Sequence, residues 1–173
     1  ARTVILYTFS KKFAMTGSRL GCAVAPVELA HAFGTLNTND ESCTTHYVQW
    51  AGVEALRGTQ EPVRQMLDVL RERRDAACDA VNAIPGMHVA VPHSTFYLFP
   101  DVTDTMARMG FTDVAEFATA ALQHTGVSFC TREHFGRRQP AEERQYIRLA
   151  YSGIDLPDTT EGLGRLREWI EAA

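Results

Sequence analysis

The spacing of hydrophobic and polar positions predicts a short strand followed by a helix at the start of the chain. The apolar run Val4–Tyr7 is typical of a strand covered on both faces, and it leads into a polar, turn-prone segment at 8–12. A second apolar run over 20–25 stops at Pro26, which suits the first turn of a helix. We expect that helix to continue to about Phe33.

Two further helices are predicted before the middle of the chain. A polar start at Ser42 and apolar positions up to Leu56 favour a helix that Gly58 ends. Thr59 is placed to cap a longer helix, which is expected to end before Pro85. The apolar positions of this longer helix recur at the helical period: Val63, Met66, Leu67, Leu70, Ala77 and Val81.

After Pro85 the pattern changes to short alternating segments. Residues 88–91 and 96–99 predict a β-hairpin, because both alternate and a polar turn separates them. A helix from Val114 is expected to end at Gly126, before a strand-like segment at 127–129.

The last two predicted elements are a strand and a helix. Residues 146–151 alternate, so Arg148 is expected on the opposite face from Ile147 and Leu149. Asp158 and Glu161 match a capping-box pattern for the final helix. That helix is expected to bury Leu163, Leu166 and Ile170.

The order of elements predicts an α/β chain in two parts. Residues 1–60 have the pattern of the end of an α/β domain, and residues 85–173 have that of a smaller α+β unit. The long helix over about 60–84 connects the two.

Composition narrows the classes of function. The net charge is -4 and the pI about 5.9, which disfavours nucleic-acid binding. No stretch approaches the ~20 apolar residues of a membrane helix. The four cysteines and six histidines are scattered without the spacing of a metal site. We therefore expect reduced thiols, no metal and a cytoplasmic protein.

Lysine is confined to one place in the chain. Of the 17 basic residues only Lys11 and Lys12 are lysine, and the others are arginine. An amine can lose its proton and attack a carbonyl, whereas a guanidinium stays protonated, so lysine is needed for that chemistry. Two chance surface lysines are the alternative interpretation.

The sequence around these lysines carries a motif. Residues 8–21 read TFSKKFAMTGSRLG, which closely resembles the pyridoxal-phosphate (PLP) attachment motif of class I/II aminotransferases, commonly S-[FY]-S-K-x-[FY]-[AG]-M-x-G-x-R-x-G. The resemblance implies that Lys11, not Lys12, is the catalytic residue that holds PLP as a Schiff base.

Other positions of the motif imply a phosphate site. Arg19 occupies the position that holds the cofactor phosphate in family members, and Thr8 and Ser10 occupy positions where hydroxyls flank the lysine. A dianionic phosphate suits a guanidinium and short hydroxyl donors. Thr8 replaces a usual serine, Ser18 a frequent tryptophan and Cys22 a frequent tyrosine, so we expect the pocket beyond Thr8 to differ in shape from that of many relatives.

A second motif implies a substrate ligand. Residues 146–152 read YIRLAYS, similar to the family's Y-[IV]-R-[LI]-[SAC]-[FY] strand, whose arginine binds the substrate α-carboxylate. By this resemblance Arg148, 137 positions after Lys11 (148 minus 11), is the substrate-binding residue. A planar guanidinium can bind a carboxylate bidentately. A surface salt bridge is the alternative for this arginine alone.

Two weaker similarities support the same alignment. Residues 86–100 resemble the family's small-domain hairpin, although Ser94 and Thr95 stand where relatives usually have Gly-Ala. Residues 39–49, with Ser42, Thr44, Thr45 and His46, resemble a segment that relatives place near the cofactor of the dimer partner.

The resemblance implies the C-terminal part of the PLP-dependent transferase fold, namely the end of its large α/β/α domain and a small α+β domain. It implies amino-acid and 2-oxo-acid substrates, a homodimer, and a missing N-terminal part, because family members are more than twice as long. Related PLP enzymes acting as lyases, decarboxylases or oxidases, and a non-catalytic PLP-sensing domain, stay open.

Overall fold

The structure is a computed structural model that describes residues 3–173, so the first two residues of the segment predicted over 1–60 lie outside the described residues. The chain divides into two compact units between Met66 and Leu67. Helices accompany a two-stranded sheet in the first unit and a three-stranded sheet in the second. The predicted mixture of helix and strand is confirmed.

The first unit begins with an antiparallel strand pair. Strand β1 (Ile5–Thr8) pairs with β2 (Gly21–Val24), and the register sets Thr8 opposite Gly21. The predicted strand is therefore present, but the described residues do not cover both of its faces. Leu6 is 81% exposed, because no other described element packs over it.

The first helix is longer than predicted. Helix α1 (Val27–Asn39) continues past Phe33 to Asn39. The hydroxyls of Thr35 and Thr38 donate to the carbonyl oxygens four residues earlier, at 3.1 and 2.9 Å. These bonds satisfy side chains that would otherwise compete with the helical backbone, so the polar stretch after Phe33 stays helical.

The next two helices follow the predicted order. Helix α2 (His46–Arg57) begins after Ser42 rather than at it, because Ser42 has a φ of +63° and is not helical. Gly58 ends α2 as predicted. Helix α3 (Glu61–Asn82) begins after Thr59, whose hydroxyl accepts a 3.2 Å hydrogen bond from the first amide of the helix.

The second unit contains the end of α3 and a small antiparallel sheet. Its further elements are β3 (Tyr97–Leu98), α4 (Thr103–Arg108), α5 (Val114–Thr125), β4 (Cys130–Thr131), β5 (Ile147–Ala150) and α6 (Leu156–Glu171). The strand order is β3-β5-β4, so β5 is central. Gly126 ends α5 with a φ of +74°, as predicted from its type.

The predicted hairpin in the second unit is wrong. Of the segment 88–91 only His88 forms a bridge, with Asp101, and β3 pairs with β5 instead. The side-chain amide of Asn82, at the end of α3, accepts from the Val89 amide at 2.9 Å and donates to the Val89 carbonyl oxygen at 3.0 Å. Both backbone groups of Val89 are therefore occupied and do not pair with a neighbouring strand. The strand predicted at 127–129 also lies slightly later, at Cys130–Thr131.

The final helix is capped three residues earlier than predicted. The carboxylate of Asp155, not Asp158, is the N-cap, and it accepts a 3.0 Å hydrogen bond from the amide of Asp158. The expected apolar face is confirmed, since Leu163, Leu166 and Ile170 are buried in the core of the second unit. None of the helices described has the length and apolar character needed to cross a bilayer.

Candidate functional sites

The segment that carries Lys11 is a loop braced by one buried ring. This lysine loop, residues 8–21, closes where the amide of Phe9 donates to the carbonyl oxygen of Leu20 at 3.2 Å. Phe9 is 4% exposed and stacks on Phe13 with ring centroids 5.6 Å apart. The side chain of Lys11 is exposed two residues after this anchor. The loop therefore has a fixed base and an accessible amine.

Hydrogen bonds connect the remaining predicted residues of the loop. The hydroxyl of Thr8 donates to that of Ser10 at 3.0 Å and accepts from the Ser10 amide at 3.2 Å. Thr16 donates to the carbonyl oxygen of Ser10 at 3.2 Å, and the Arg19 guanidinium donates to the carbonyl oxygen of Thr16 at 3.1 Å. The structure thus brings Thr8, Ser10 and Arg19 into one connected network.

Two residues of the loop have an uncommon backbone conformation. Ala14 and Arg19 have φ values of +53° and +54°, in the left-handed region that residues with a Cβ rarely adopt. Such residues cost of order 1–3 kcal/mol each and are concentrated at functional sites. The strain marks this loop as a candidate functional segment.

The second lysine of the loop lies against an aromatic ring. The Nζ of Lys12 lies 4.9 Å from the ring centroid of Phe13, the geometry of a cation–π contact.

A cleft of about 580 Å³ in the first unit adjoins Arg19. Thr44 and Thr45 line it together with Arg19, and so do Glu41 and Tyr47. Part of the predicted segment 39–49 therefore shares a cleft with the predicted phosphate ligand. His46 is placed differently, since its Nε2 lies 3.2 Å from the indole Nε1 of Trp50.

Arg148 lies on the central strand of the second unit. Its guanidinium carbon lies 4.3 Å from the ring centroid of Tyr97 and 4.7 Å from that of Phe135. Its Nη2 lies 3.6 Å from the Sγ of Cys130, the residue opposite it in the register. Among residues 3–173 no carboxylate forms a salt bridge with it. Within the described residues, Arg148 is therefore not part of an ion pair.

The two rings and the thiol around Arg148 were not predicted from the sequence. The correct strand pairing would place Cys130 and Tyr97 beside β5, but the predicted hairpin pairs residues 96–99 with residues 88–91 instead. Phe135 ends a 3-10 turn over Arg132–Phe135, which was not predicted.

A second cavity contains none of the predicted site residues. Its volume is about 410 Å³, and it is lined in the second unit by residues that include Leu98, Leu149, Leu163 and Arg165. Within the described part of the chain, no group of three or more His, Cys, Asp or Glu side chains could hold a metal ion.

Comparisons with known proteins agree with the motifs. The sequence model of the family described as aminotransferase class I and II matches residues 1–166. An asparagine–oxo-acid transaminase of Streptococcus mutans is 35% identical over 170 residues, which are 98% of this chain and 42% of that protein. An aspartate aminotransferase of Bacillus sp. (strain YM-2) is 34% identical over 99% of this chain and 42% of its own length.

Comparison with solved structures leads to the same family. The crystal structure of an aspartate aminotransferase from Rhizobium meliloti superposes with a TM-score of 0.81 at 27% identity, covering 98% of this chain and 42% of that one. This chain thus spans about 42% of the length of these relatives, and its fold is the C-terminal part of the PLP-dependent transferase fold. On its sequence and its fold alike, the chain belongs to the class I and II aminotransferase family.

Proposed function

We propose that this chain is the C-terminal part of a PLP-dependent aminotransferase, which moves an amino group from an amino acid to a 2-oxo acid. The observation that carries the proposal is the lysine loop, where exposed Lys11 follows the buried anchor Phe9 and the hydrogen-bonded pair Thr8 and Ser10. The relatives named transaminase and aminotransferase support the same activity.

The donors of the lysine loop fit PLP, the cofactor of this family. The Arg19 guanidinium has five N–H donors, and its bond to the Thr16 carbonyl oxygen uses one of them. The Ser10 hydroxyl accepts from Thr8 and keeps its own O–H as a donor. A guanidinium and hydroxyl donors suit a phosphate dianion, and an accessible lysine suits an aldehyde.

Each of the two key side chains has a separate task in the reaction. When bound, PLP supplies an electron sink for the electrons released at the substrate Cα. Lys11 Nζ would hold the cofactor and, as a free amine, would act as the base that removes the Cα proton. The Arg148 guanidinium binds the α-carboxylate bidentately and so orients the amino acid.

The lysine assignment is tested on the full-length protein with Lys11→Ala and the matched control Lys12→Ala. Borohydride reduces a carbon–nitrogen double bond between cofactor and lysine to a stable single bond, so peptide mass mapping identifies the attachment site. We expect PLP on Lys11 in the parent protein and in Lys12→Ala, and none in Lys11→Ala. Attachment to Lys12 would refute the assignment.

The reaction type needs a product assay. Aspartate and asparagine are offered as amino donors with 2-oxoglutarate as acceptor, and we expect glutamate to form in step with loss of the donor. PLP bound at Lys11 without any transfer to 2-oxo acids would instead identify another PLP reaction or a cofactor-sensing protein.

We also propose that the intact protein is a cytoplasmic homodimer in which an N-terminal part completes the large domain. The large exposed apolar side chains of the first unit, such as Leu6, Val27, Tyr47 and Trp50, support a covering partner or segment. Two segments, 1–60 and 85–173, are proposed as domain parts joined by 60–84. Light scattering of the full-length protein should give twice the mass of one chain.

A further inference from the structure

The guanidinium of Arg148 is contacted by rings from both strands that neighbour β5. Tyr97 belongs to β3, which pairs with one edge of β5, and Phe135 closely follows β4, which pairs with the other edge. The ring centroids lie 4.3 and 4.7 Å from the guanidinium carbon. Both distances are within the ~6 Å range of cation–π attraction.

Aromatic contacts hold an arginine in a way that a salt bridge does not. A carboxylate partner would occupy the N–H donors and compete with an incoming carboxylate, whereas a ring contacts the guanidinium face. Ring contacts therefore leave the in-plane donors available for a bidentate ligand. Of the partners near Arg148 in the described residues, only the Cys130 thiol, a weak acceptor, lies at an N–H donor, at 3.6 Å.

Phe135 is itself held in place. The amide and hydroxyl of Thr131 lie 3.2 and 2.9 Å from the Nδ1 of His134, which caps the 3-10 turn that ends at Phe135. In the same turn, Arg132 forms a bidentate ion pair with Glu142, at 2.5 and 2.8 Å. Both side chains of that pair are less than one-fifth exposed.

The rings also support one another. Phe99 contacts the Phe135 ring edge to face at 6.1 Å and stacks on Tyr146 at 5.3 Å. Tyr97 lies 4.6 Å from the ring of Phe96. Each ring that contacts Arg148 is thus fixed by a neighbour, which is the condition for a preorganised ligand.

We infer that Tyr97 and Phe135 are positioning residues that set the Arg148 guanidinium for a substrate carboxylate before the substrate arrives. The inference rests on the proposed function, because it assigns the carboxylate to Arg148. It adds that the affinity of the site depends on two rings that contact the arginine.

The test uses the full-length protein with PLP bound and succinate, a dicarboxylate that lacks an amino group and so cannot react. Calorimetric titration gives its dissociation constant. Tyr97→Leu and Phe135→Leu are each expected to weaken succinate binding by about threefold to thirtyfold. Tyr97→Phe and Phe135→Tyr keep a ring and should restore binding to within about twofold of the parent.

The matched control is Phe111→Leu. It makes the same chemical change as Phe135→Leu, but the Phe111 ring contacts Phe117 and Trp169 rather than the guanidinium. A loss in this control equal to that in Phe135→Leu would overturn the inference, because the effect would then be a general one on the second unit.

Steady-state kinetics provide the second measurement. If the rings no longer position the Arg148 guanidinium, KM for the amino acid should rise and kcat should stay within about twofold. The substrate carboxylate is then bound more weakly to the same extent in the ground state and in the transition state. A fall in kcat of the ring variants as large as their rise in KM would contradict a positioning role.

Arg148→Lys separates the two levels of the proposal. If Arg148→Lys weakens succinate binding and the ring variants do not, the ring inference fails while the proposed function stands. If Arg148→Lys leaves succinate binding unchanged, the carboxylate assignment itself fails.

Discussion

The hydroxyl of Tyr151 donates a 2.9 Å hydrogen bond to the carbonyl oxygen of Thr95, a residue with a φ of +70°. Tyr151 is 4% exposed and follows β5, and its amide donates to the carbonyl oxygen of Phe96 at 3.1 Å. One side chain and one amide thus fix the strained turn that leads into Tyr97. Because the Tyr97 ring contacts Arg148, this turn determines the position of that ring in the proposed carboxylate site.

Removing this hydroxyl should destabilise the protein. Tyr151→Phe leaves the Thr95 carbonyl oxygen without its donor, which is expected to cost about 1–3 kcal/mol in the free energy of unfolding. Urea denaturation measures the loss, and Tyr146→Phe, the same change at a half-buried ring, is the control. Equal stability of the two variants would show that the Tyr151 bond contributes nothing.

Tyr151 also predicts a loss of stability at alkaline pH. Burial raises the pKa of its phenol above the ordinary 10.0, although the charge of Arg74 lowers it in part. A raised folded-state pKa gives stability that is complete below the unfolded value and is lost as the pH rises through the folded value. From about pH 10 upward, the parent should lose more stability than Tyr151→Phe, as urea midpoints measured at several pH values would show. Parallel curves would contradict the prediction.

Thr95→Gly should stabilise the turn. A β-branched residue in the left-handed region costs about 1–2 kcal/mol, and glycine removes that cost while adding about 0.5–1 kcal/mol of chain entropy. We expect a net gain of about 0.5–1 kcal/mol in the free energy of unfolding, measured by thermal denaturation. Thr119→Gly, on the exposed surface of α5, should instead lose about 0.3 kcal/mol.

A decrease in stability for Thr95→Gly would mean that the threonine side chain makes a contact that outweighs the strain of its backbone.

Features that depend on one helix, strand or loop could be predicted from the sequence, whereas contacts between separate elements could not. The end of α5 at Gly126 and the lysine motif are local, because turn chemistry and a run of side chains are enough to identify them. The pairing of Tyr97 with Ala150 depends on a competition that Asn82 decides, 15 residues before β3 (97 minus 82). Residues around Arg148 were missed for the same reason, since three separate segments supply them.

Asp101 predicts a loss of stability in acid. Burial by itself raises the pKa of this carboxyl, but hydrogen bonds from the Thr103 hydroxyl and amide and from Arg144 outweigh it, so that the pKa lies below 3.8. A lowered folded-state pKa gives stability that is present above the unfolded value and is lost as the pH falls through the folded value.

The check is a pH series of chemical denaturation for the parent and Asp101→Asn. Asparagine keeps an oxygen acceptor but carries no charge, so the variant should be less stable than the parent at pH 7. The gap should close as the pH falls below about 4. A gap that is independent of pH would show that the charge of Asp101 does not stabilise the fold.

Gly52 of helix α2 packs closely against Leu20 and Phe9 of the lysine loop. A Cβ built on Gly52 would lie 2.5 Å from Leu20 Cδ2 and 3.6 Å from the Phe9 ring, so Gly52→Ala forces Leu20 to move. The clash is with the end of a half-buried side chain, so its cost lies at the low end of overpacking, about 1 kcal/mol, and roughly offsets the helix gain of about 0.5–1 kcal/mol from alanine. We expect little net change in the free energy of unfolding, measured by urea denaturation, and a displaced Leu20.

The same change should weaken PLP binding, since Leu20 follows Arg19 and its carbonyl oxygen accepts from the Phe9 amide. Displacement of Leu20 therefore moves both the proposed phosphate ligand and the base of the loop that carries Lys11. The control is Gly34→Ala in α1, where no atom lies within 4 Å of the new Cβ. It should stabilise the helix by about 0.5–1 kcal/mol and leave the PLP dissociation constant, measured by absorbance after dialysis, unchanged. If Gly52→Ala binds PLP as tightly as Gly34→Ala, close packing beneath the lysine loop does not position the cofactor ligands.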